Sequence, residues 1–190
     1  MRRSSILVSV FYGAFGLGFS PVITAAGPAS NVVELNNQVT AESIEEGLFP
    51  KSATASDCAE AAKAGFTCGQ IVPRKTYSLP VDVSVGVGSA QISAAAKSLL
   101  AQFGPVLKRN EHSGNKVVFV GHTDVSGSQQ LNQRLSQQRA EAVRLYFIKD
   151  FDIAPSFLMA TGVGSAQLKD KDNPTSVVNR RVEITTKPAN

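Results

Sequence analysis

The sequence predicts an α/β sandwich, an α+β arrangement with helices packed on one face of a sheet. Three observations carry that expectation. Val81, Val83, Val85 and Val87 alternate with Asp82, Ser84 and Gly86, the period of a half-buried strand. Lys116–Gly121 is a short, largely apolar run suited to a central strand. From Gln129 to Lys149, apolar residues recur at helical spacing instead. From Pro80 onward the order is strand, helix, strand, helix, strand and a closing strand.

The chain opens with Arg2 and Arg3 before an uncharged stretch, Ile6–Ala26, that ends on the small residues Thr24, Ala25 and Ala26. A basic start, an apolar middle and a small-residue end are the layout of a secretory signal peptide. The alternative is an uncleaved N-terminal anchor, because the stretch is long enough to span a bilayer. Gly13, Gly16, Gly18, Ser20 and Pro21 make it a poor spanning helix. Loss of residues 1–26 removes two arginines and no acid, so the formal charge of +4 falls to +2. No Lys/Arg-rich run with interleaved aromatics remains, which argues against nucleic acid as a partner. Trp is absent, which argues against a sugar-stacking lectin. No Cys follows the apolar stretch, so a lipid anchor is not expected.

Residues 27–79 read as a periplasmic linker with one short helix. Thr40 caps Ala41–Leu48, acids occupy its first turns and Phe49-Pro50 stops it. Cys58 and Cys68 form a pair in an exported chain, where oxidation is permitted. A disulfide between them closes the loop Ala59–Thr67 and contributes about 2–3 kcal/mol. A metal site is disfavoured, since no His lies near and the spacing is not Cys-x-x-Cys. The segment is also too short for a transmembrane barrel, whose strands need about 9–11 residues each.

Residues 80–187 form the expected domain. Ser89 is placed to cap a helix carrying Ile92, Ala95, Ala96, Leu99, Leu100, Phe103, Val106 and Leu107, with a break expected at Gly104-Pro105. In the helix Gln129–Lys149, Leu131, Leu135, Ala142, Val143, Tyr146 and Phe147 make an apolar stripe opposite an exposed Gln/Arg-rich face. Leu158–Val163 and Arg181–Thr186 complete the strands. Gly86-Val87-Gly88-Ser89-Ala90-Gln91 recurs as Gly162-Val163-Gly164-Ser165-Ala166-Gln167. A nucleotide fingerprint needs a third Gly where Gln91 and Gln167 stand, so both copies read as strand-end turns.

Three motifs bear chemistry: Gly121-His122-Thr123-Asp124, the run Asn132 to Val143 that fits Asn-x-x-Leu-Ser-x-x-Arg-Ala-x-x-Val, and Asn179-Arg180-Arg181-Val182-Glu183-Ile184. Taken alone, Asp124 is a carboxylate that bonds the backbone of the turn Val125–Ser128. Arg139 alone is a solvated helix-surface cation, paired with Glu141 or with nothing, and such exposed pairs are worth little. In this order and spacing, however, the motifs resemble the OmpA C-terminal-like (OmpA/MotB/Pal) peptidoglycan-binding domain family, over about residues 80–187.

The resemblance implies a β-α-β-α-β-β fold, with helices on one face of a mixed sheet. It also implies non-catalytic binding of peptidoglycan through the diaminopimelate of its stem peptides, tethering an envelope component to the cell wall. Asp124 then takes the ammonium of diaminopimelate and Arg139 its carboxylate. Asn132, Ser126 and Arg180 are secondary contacts. A planar guanidinium suits a bidentate clamp on a carboxylate. The sequence departs from the family at Val85-Gly86-Val87-Gly88, where many relatives carry an aromatic-acid step; Gly88 replaces the acid.

Other function classes find less support. His122-x-Asp124 with His112 is too few ligands for a metal, no nucleophile elbow is present, and no cofactor is expected. A stator role needs an acid in a membrane helix, and Ile6–Ala26 has none. The remaining alternative is a protein-interaction module in an envelope or secretion complex, with an outer-membrane or envelope protein as partner. The expected location is the periplasm, at the wall.

The cysteine reading has a direct check. Protein recovered from the periplasm and denatured without reductant is expected to show no free thiol, and two after reduction. Two free thiols before reduction would refute the pairing.

Overall fold

Alternation along the strands decides which side of the sheet is buried. The computed structural model describes residues 31–51, 55–63, 74–80 and 92–189. In chain order these hold β1 (Val32–Glu34), α1 (Ala41–Leu48), α2 (Ala55–Lys63), β2 (Thr76–Pro80), α3 (Ala94–Leu100) and α4 (Phe103–Arg109). Then come β3 (Asn115–Gly121), α5 (Gln129–Phe151), β4 (Leu158–Gly162) and β5 (Arg181–Pro188). The strands form one mixed sheet in the order β1-β2-β5-β3-β4. β1 and β2 run parallel, as do β3 and β4, while β5 is antiparallel to both β2 and β3.

Register builds the core from two rows of paired residues. Tyr77, Ile184, Phe119 and Ala160 lie across the sheet in one row, and Leu79, Val182, Gly121 and Gly162 in the next. Helices cover this face. Phe119 stacks on Phe147 of α5 at 5.5 Å between ring centroids, and Tyr77 meets Phe103 of α4 edge-on at 5.3 Å. Met159, on the other face of β4, is 41% exposed. The expected mixed α/β fold is therefore the observed one.

Residues 32–48 and 76–79, which the sequence places in the linker, are instead packed into the fold. β1 extends the sheet beside β2. Leu35, Val39, Ile44 and Leu48 belong to the common core. α1 is capped at both levels by Thr40 and Ser43, and is tied down by Tyr77 Oη, which donates to the Ser43 carbonyl, and Thr186 Oγ1, which donates to that of Leu48. The alternating valines of 81–87, Ser89, the Gly88 departure, Cys68 and residues 1–26 lie outside the described residues, and with them the disulfide and signal-peptide expectations. Among the described residues, no helix is long and apolar enough to cross a membrane.

The first helical stretch is two helices. Ser93 caps α3, and the break falls at Ala101–Gln102, so that Gly104 and Pro105 stand in the first turn of α4. Pro is tolerated there because its missing N–H has no intrahelical partner to lose. Gly162–Gln167 does leave β4 in a turn, with Gly164 at φ +56°.

α5 departs from its expected stripe. Its buried residues are Asn132, Ser136, Arg139, Ala140, Val143, Tyr146 and Phe147, whereas Leu131 is exposed. The helix begins by burying polar groups because its backbone lies directly on the sheet. Gly121 and Gly162 are register partners, and a Cβ on them would stand 2.0 Å from the Ser136 carbonyl oxygen and 2.2 Å from the Gln137 nitrogen. The Gln/Arg face is not simply solvated either. Gln133 and Gln137 donate to the Gly162 and Ala160 carbonyls, Gly162 N–H donates to Gln137 Oε1, and Arg144 donates to the Leu158 carbonyl. These side chains occupy the outer edge of β4, which otherwise offers unpaired backbone groups to another strand.

Gly121→Ala or Gly162→Ala is expected to destabilise the fold by about 1–3 kcal/mol or more, because α5 must lift away from the sheet. Thermal unfolding followed by circular dichroism should show a midpoint several degrees lower. Melting curves that overlay the parent's would show that this approach carries no cost.

Candidate functional site

Three strand ends and one helix start meet at a single edge of the sheet. β3 and β4 are parallel, so their C-terminal ends, Gly121 and Gly162, lie together; β5 is antiparallel, so Arg181 begins it at the same place. The chain leaving β3 stays tied to both neighbours. His122 N–H donates to the Arg181 carbonyl, and Thr123 N–H to that of Gly164, each at 2.9 Å.

Asp124 follows, 5% exposed. Its two oxygens have different work. Oδ1 accepts the Ser126 N–H at 2.8 Å, which folds the turn, and Gly127 completes it at φ +85°. Oδ2 accepts from Arg180 Nη1 at 2.9 Å. Asp124 is thus both the turn-forming carboxylate that local chemistry suggests and half of a largely buried ion pair. Ser128 caps α5, and one turn later Asn132, 3% exposed, donates to the Asp124 main-chain carbonyl at 3.1 Å.

The structure thereby brings Asp124, Asn132 and Arg180 into one hydrogen-bonded cluster. Ser126 enters through its backbone N–H. Arg139 is 4% exposed and shares the buried stripe of α5 with Asn132 and Ser136. It lies two turns, about 10 Å along the axis, beyond Asn132. The sequence assigns Asp124 and Arg139 to opposite charges of one ligand and Arg180 to a secondary contact; within the protein, Arg180 is hydrogen-bonded to Asp124. Arg180 joins the cluster because β5 is antiparallel to β3 and starts at this edge.

Beneath the turn lies a second charged group. His122 is wholly buried, with Nε2 3.5 Å from Glu183 Oε2, and Arg181 Nε donates to Glu183 Oε1 at 2.8 Å. His112 and His122 flank opposite ends of β3, about 20 Å apart, so they cannot share a ligand. Burial pushes the Glu183 carboxyl up, but His122 and Arg181 outweigh it and bring the group down to about 2. Asp124 shows the same balance: burial opposes ionisation, while Arg180 and the Ser126 N–H hold the carboxyl below the usual range. At neutral pH this edge therefore presents a fixed, desolvated anion among arginines.

Among known proteins, a model of the OmpA family matches residues 86–181. Outer membrane protein P5 of Haemophilus influenzae is 35% identical over 95 residues, 50% of this chain and 26% of that protein. The probable lipoprotein YiaD of Escherichia coli K12 is 34% identical over 113 residues, 58% of this chain and 50% of that protein. The chain thus spans about a quarter to a half of these relatives. Among solved structures, a putative MotB-like protein from Desulfovibrio vulgaris aligns with a TM-score of 0.50 and 25% identity, covering 60% of this chain and 72% of that one.

The depressed Glu183 carboxyl sets an acid-stability window. Its folded value lies below the ordinary 4.5, so its contribution is complete above that pH and is lost as pH falls toward about 2. Glu183→Gln should therefore be less stable than the parent at pH 6, with the difference narrowing across that window in urea titrations. A gap that stays constant from pH 6 to 2 would contradict the assignment.

Proposed function

The chain belongs to the OmpA family, and we propose that it binds peptidoglycan without catalysis, gripping the diaminopimelate of stem peptides and holding an envelope component to the cell wall. The observation that carries this reading is the buried, ionised Asp124 at an edge where Arg180 and the Asn132 amide converge. Diaminopimelate carries an ammonium and a carboxylate on its side-chain centre. Asp124 supplies the anion for the first. Arg139, reaching from the buried stripe of α5, supplies the planar clamp for the second. Arg180 already shares Oδ2 of Asp124, so the incoming ammonium completes a charge-alternating row and does not have to create the anion. Asn132 fixes the main chain of the turn, and Ser126 offers its hydroxyl at the rim.

Residues 1–26 act in this reading as a signal peptide, and Cys58 and Cys68 pair in the oxidising compartment that export reaches. The residues from 27 to 79 carry the tethered component, in addition to what β1, α1 and β2 give the fold. The relatives named for the outer membrane and as a lipoprotein agree with an envelope location. A second reading, docking of an envelope protein at the same edge, draws on exposed apolar side chains beside the cluster. Val125 follows Asp124, and Val177 and Val178, 51% and 43% exposed, precede Asn179-Arg180.

Co-sedimentation with isolated sacculi separates the two. The purified protein should pellet with diaminopimelate-type sacculi and not with lysine-type sacculi, whose stem peptides lack the second carboxylate. Asp124→Ala and Arg139→Ala should each weaken binding by the roughly 2–5 kcal/mol that loss of one partner of a desolvated charged pair costs, with circular dichroism unchanged. Parent-like pelleting by both variants would remove the site. Failure of the parent to pellet would move the function to a protein partner.

A further inference from the structure

Asn179 opens the motif that carries Arg180, and its side chain is bonded on both sides. It is wholly buried. Its Oδ1 accepts the N–H groups of Lys169 and Asp170, both at 2.8 Å. Its Nδ2 faces three carbonyls, those of Asp170 and Asn173 at 3.1 Å and of Pro174 at 3.2 Å. One amide thus gathers both ends of the segment 169–174, which has no strand or helix ladder of its own.

Two routes lead from this hub to Asp124. The Pro174 carbonyl, besides facing Asn179, accepts the N–H of Val125 at 3.2 Å, pinning the residue after Asp124. The residue after Asn179 is Arg180, whose Nη1 holds Asp124 Oδ2. Asn173 N–H also donates to Asp170 Oδ1, so the loop closes on itself around the amide. Only a side chain with an acceptor on one side and a donor on the other can serve both sets of groups. An aspartate has the same shape, but it would turn an oxygen toward three carbonyls in a buried place.

We infer that Asn179 is a positioning residue of the ligand site: it touches no ligand, but holds the loop that fixes the Asp124 turn and presents Arg180 to it. The inference rests on the wall-binding reading for its functional meaning, though not for its geometry.

The test is Asn179→Asp in the otherwise intact protein, with two readouts. Binding to diaminopimelate-type sacculi is expected to fall at least tenfold. The Asp124 carboxyl, followed by carbon-13 titration, is expected to move up toward its ordinary range, because Arg180 is no longer held against it. A general loss of stability, as in Leu48→Ala in the core beneath α1, at the far end of β5 from the site, should leave that titration in place. A folded Asn179→Asp variant in which either readout is unchanged overturns the inference. If the parent itself does not bind sacculi, the wall-binding reading fails and the titration alone decides for or against Asn179. Should the variant not fold, amide exchange in the parent decides: slow exchange at Lys169, Asp170 and Val125 supports the hub, and fast exchange at these positions overturns it.

Discussion

The rest of the structure depends on the contact between α5 and two glycines. Gly121 and Gly162 face each other across β3 and β4, and the Ser136–Gln137 backbone rests where their side chains would be. A helix normally packs on a sheet through side chains on both surfaces, at about 10 Å between axis and sheet. Here the sheet contributes almost none at this point. The helix consequently arrives low and close, and its first turns are level with the strand ends. Ser136 Oγ can then accept the Gly164 N–H at 2.9 Å, and Asn132 can reach the Asp124 carbonyl. The far half of the helix is held differently, by Phe147 on Phe119 and by Tyr146 and Phe151 around it. One helix therefore has a polar, positioning end and an apolar, anchoring end.

Closeness at that edge also explains its electrostatics. Two carboxylates, Asp124 and Glu183, are taken largely out of water, each with cations or N–H groups arranged around it. Such burial is costly for an unpartnered anion and becomes tolerable only with hydrogen-bonded partners. Arg181 and Arg180, adjacent in sequence, diverge to serve the two carboxylates: Arg181 turns to Glu183 on the sheet face opposite the helices, and Arg180 to Asp124. Side chains alternate across a strand, and the step from Arg180 into β5 at Arg181 uses that alternation. The first of these ion pairs fixes the start of β5, and the second ties that start to the turn that follows β3.

The segment ahead of the motif-bearing domain is more than a tether. β1 covers the outer side of β2, and α1 buries Ile44 and Leu48 against the core shared with α4 and β5. Glu45 joins α1 to α4 through Arg109 and Asn110. A pull on residues upstream of β1 would therefore be borne by the sheet, on the strand farthest from β4.

Much of this was legible in the chain itself. The apolar run Lys116–Gly121 located β3 and the 3.6-residue spacing located α5, because a buried strand and a half-buried helix each impose their pattern on near neighbours in sequence. The capping of α1 by Thr40 was legible because a cap is a contact between near neighbours in sequence. So was the turn at Asp124, for the same reason. Tertiary structure alone decided what happens between distant residues. It set Arg180 on Asp124 across 56 positions, and drew residues 32–48 into the core. It turned Gln133, Gln137 and Arg144 from a solvated face into a cover for the β4 edge, and made Asn179 a hub. Polar residues defeat pattern reading here because an Asn or Gln at the surface and one buried in a network look identical in sequence. Only the close approach of strands and helix determines which of them loses its water.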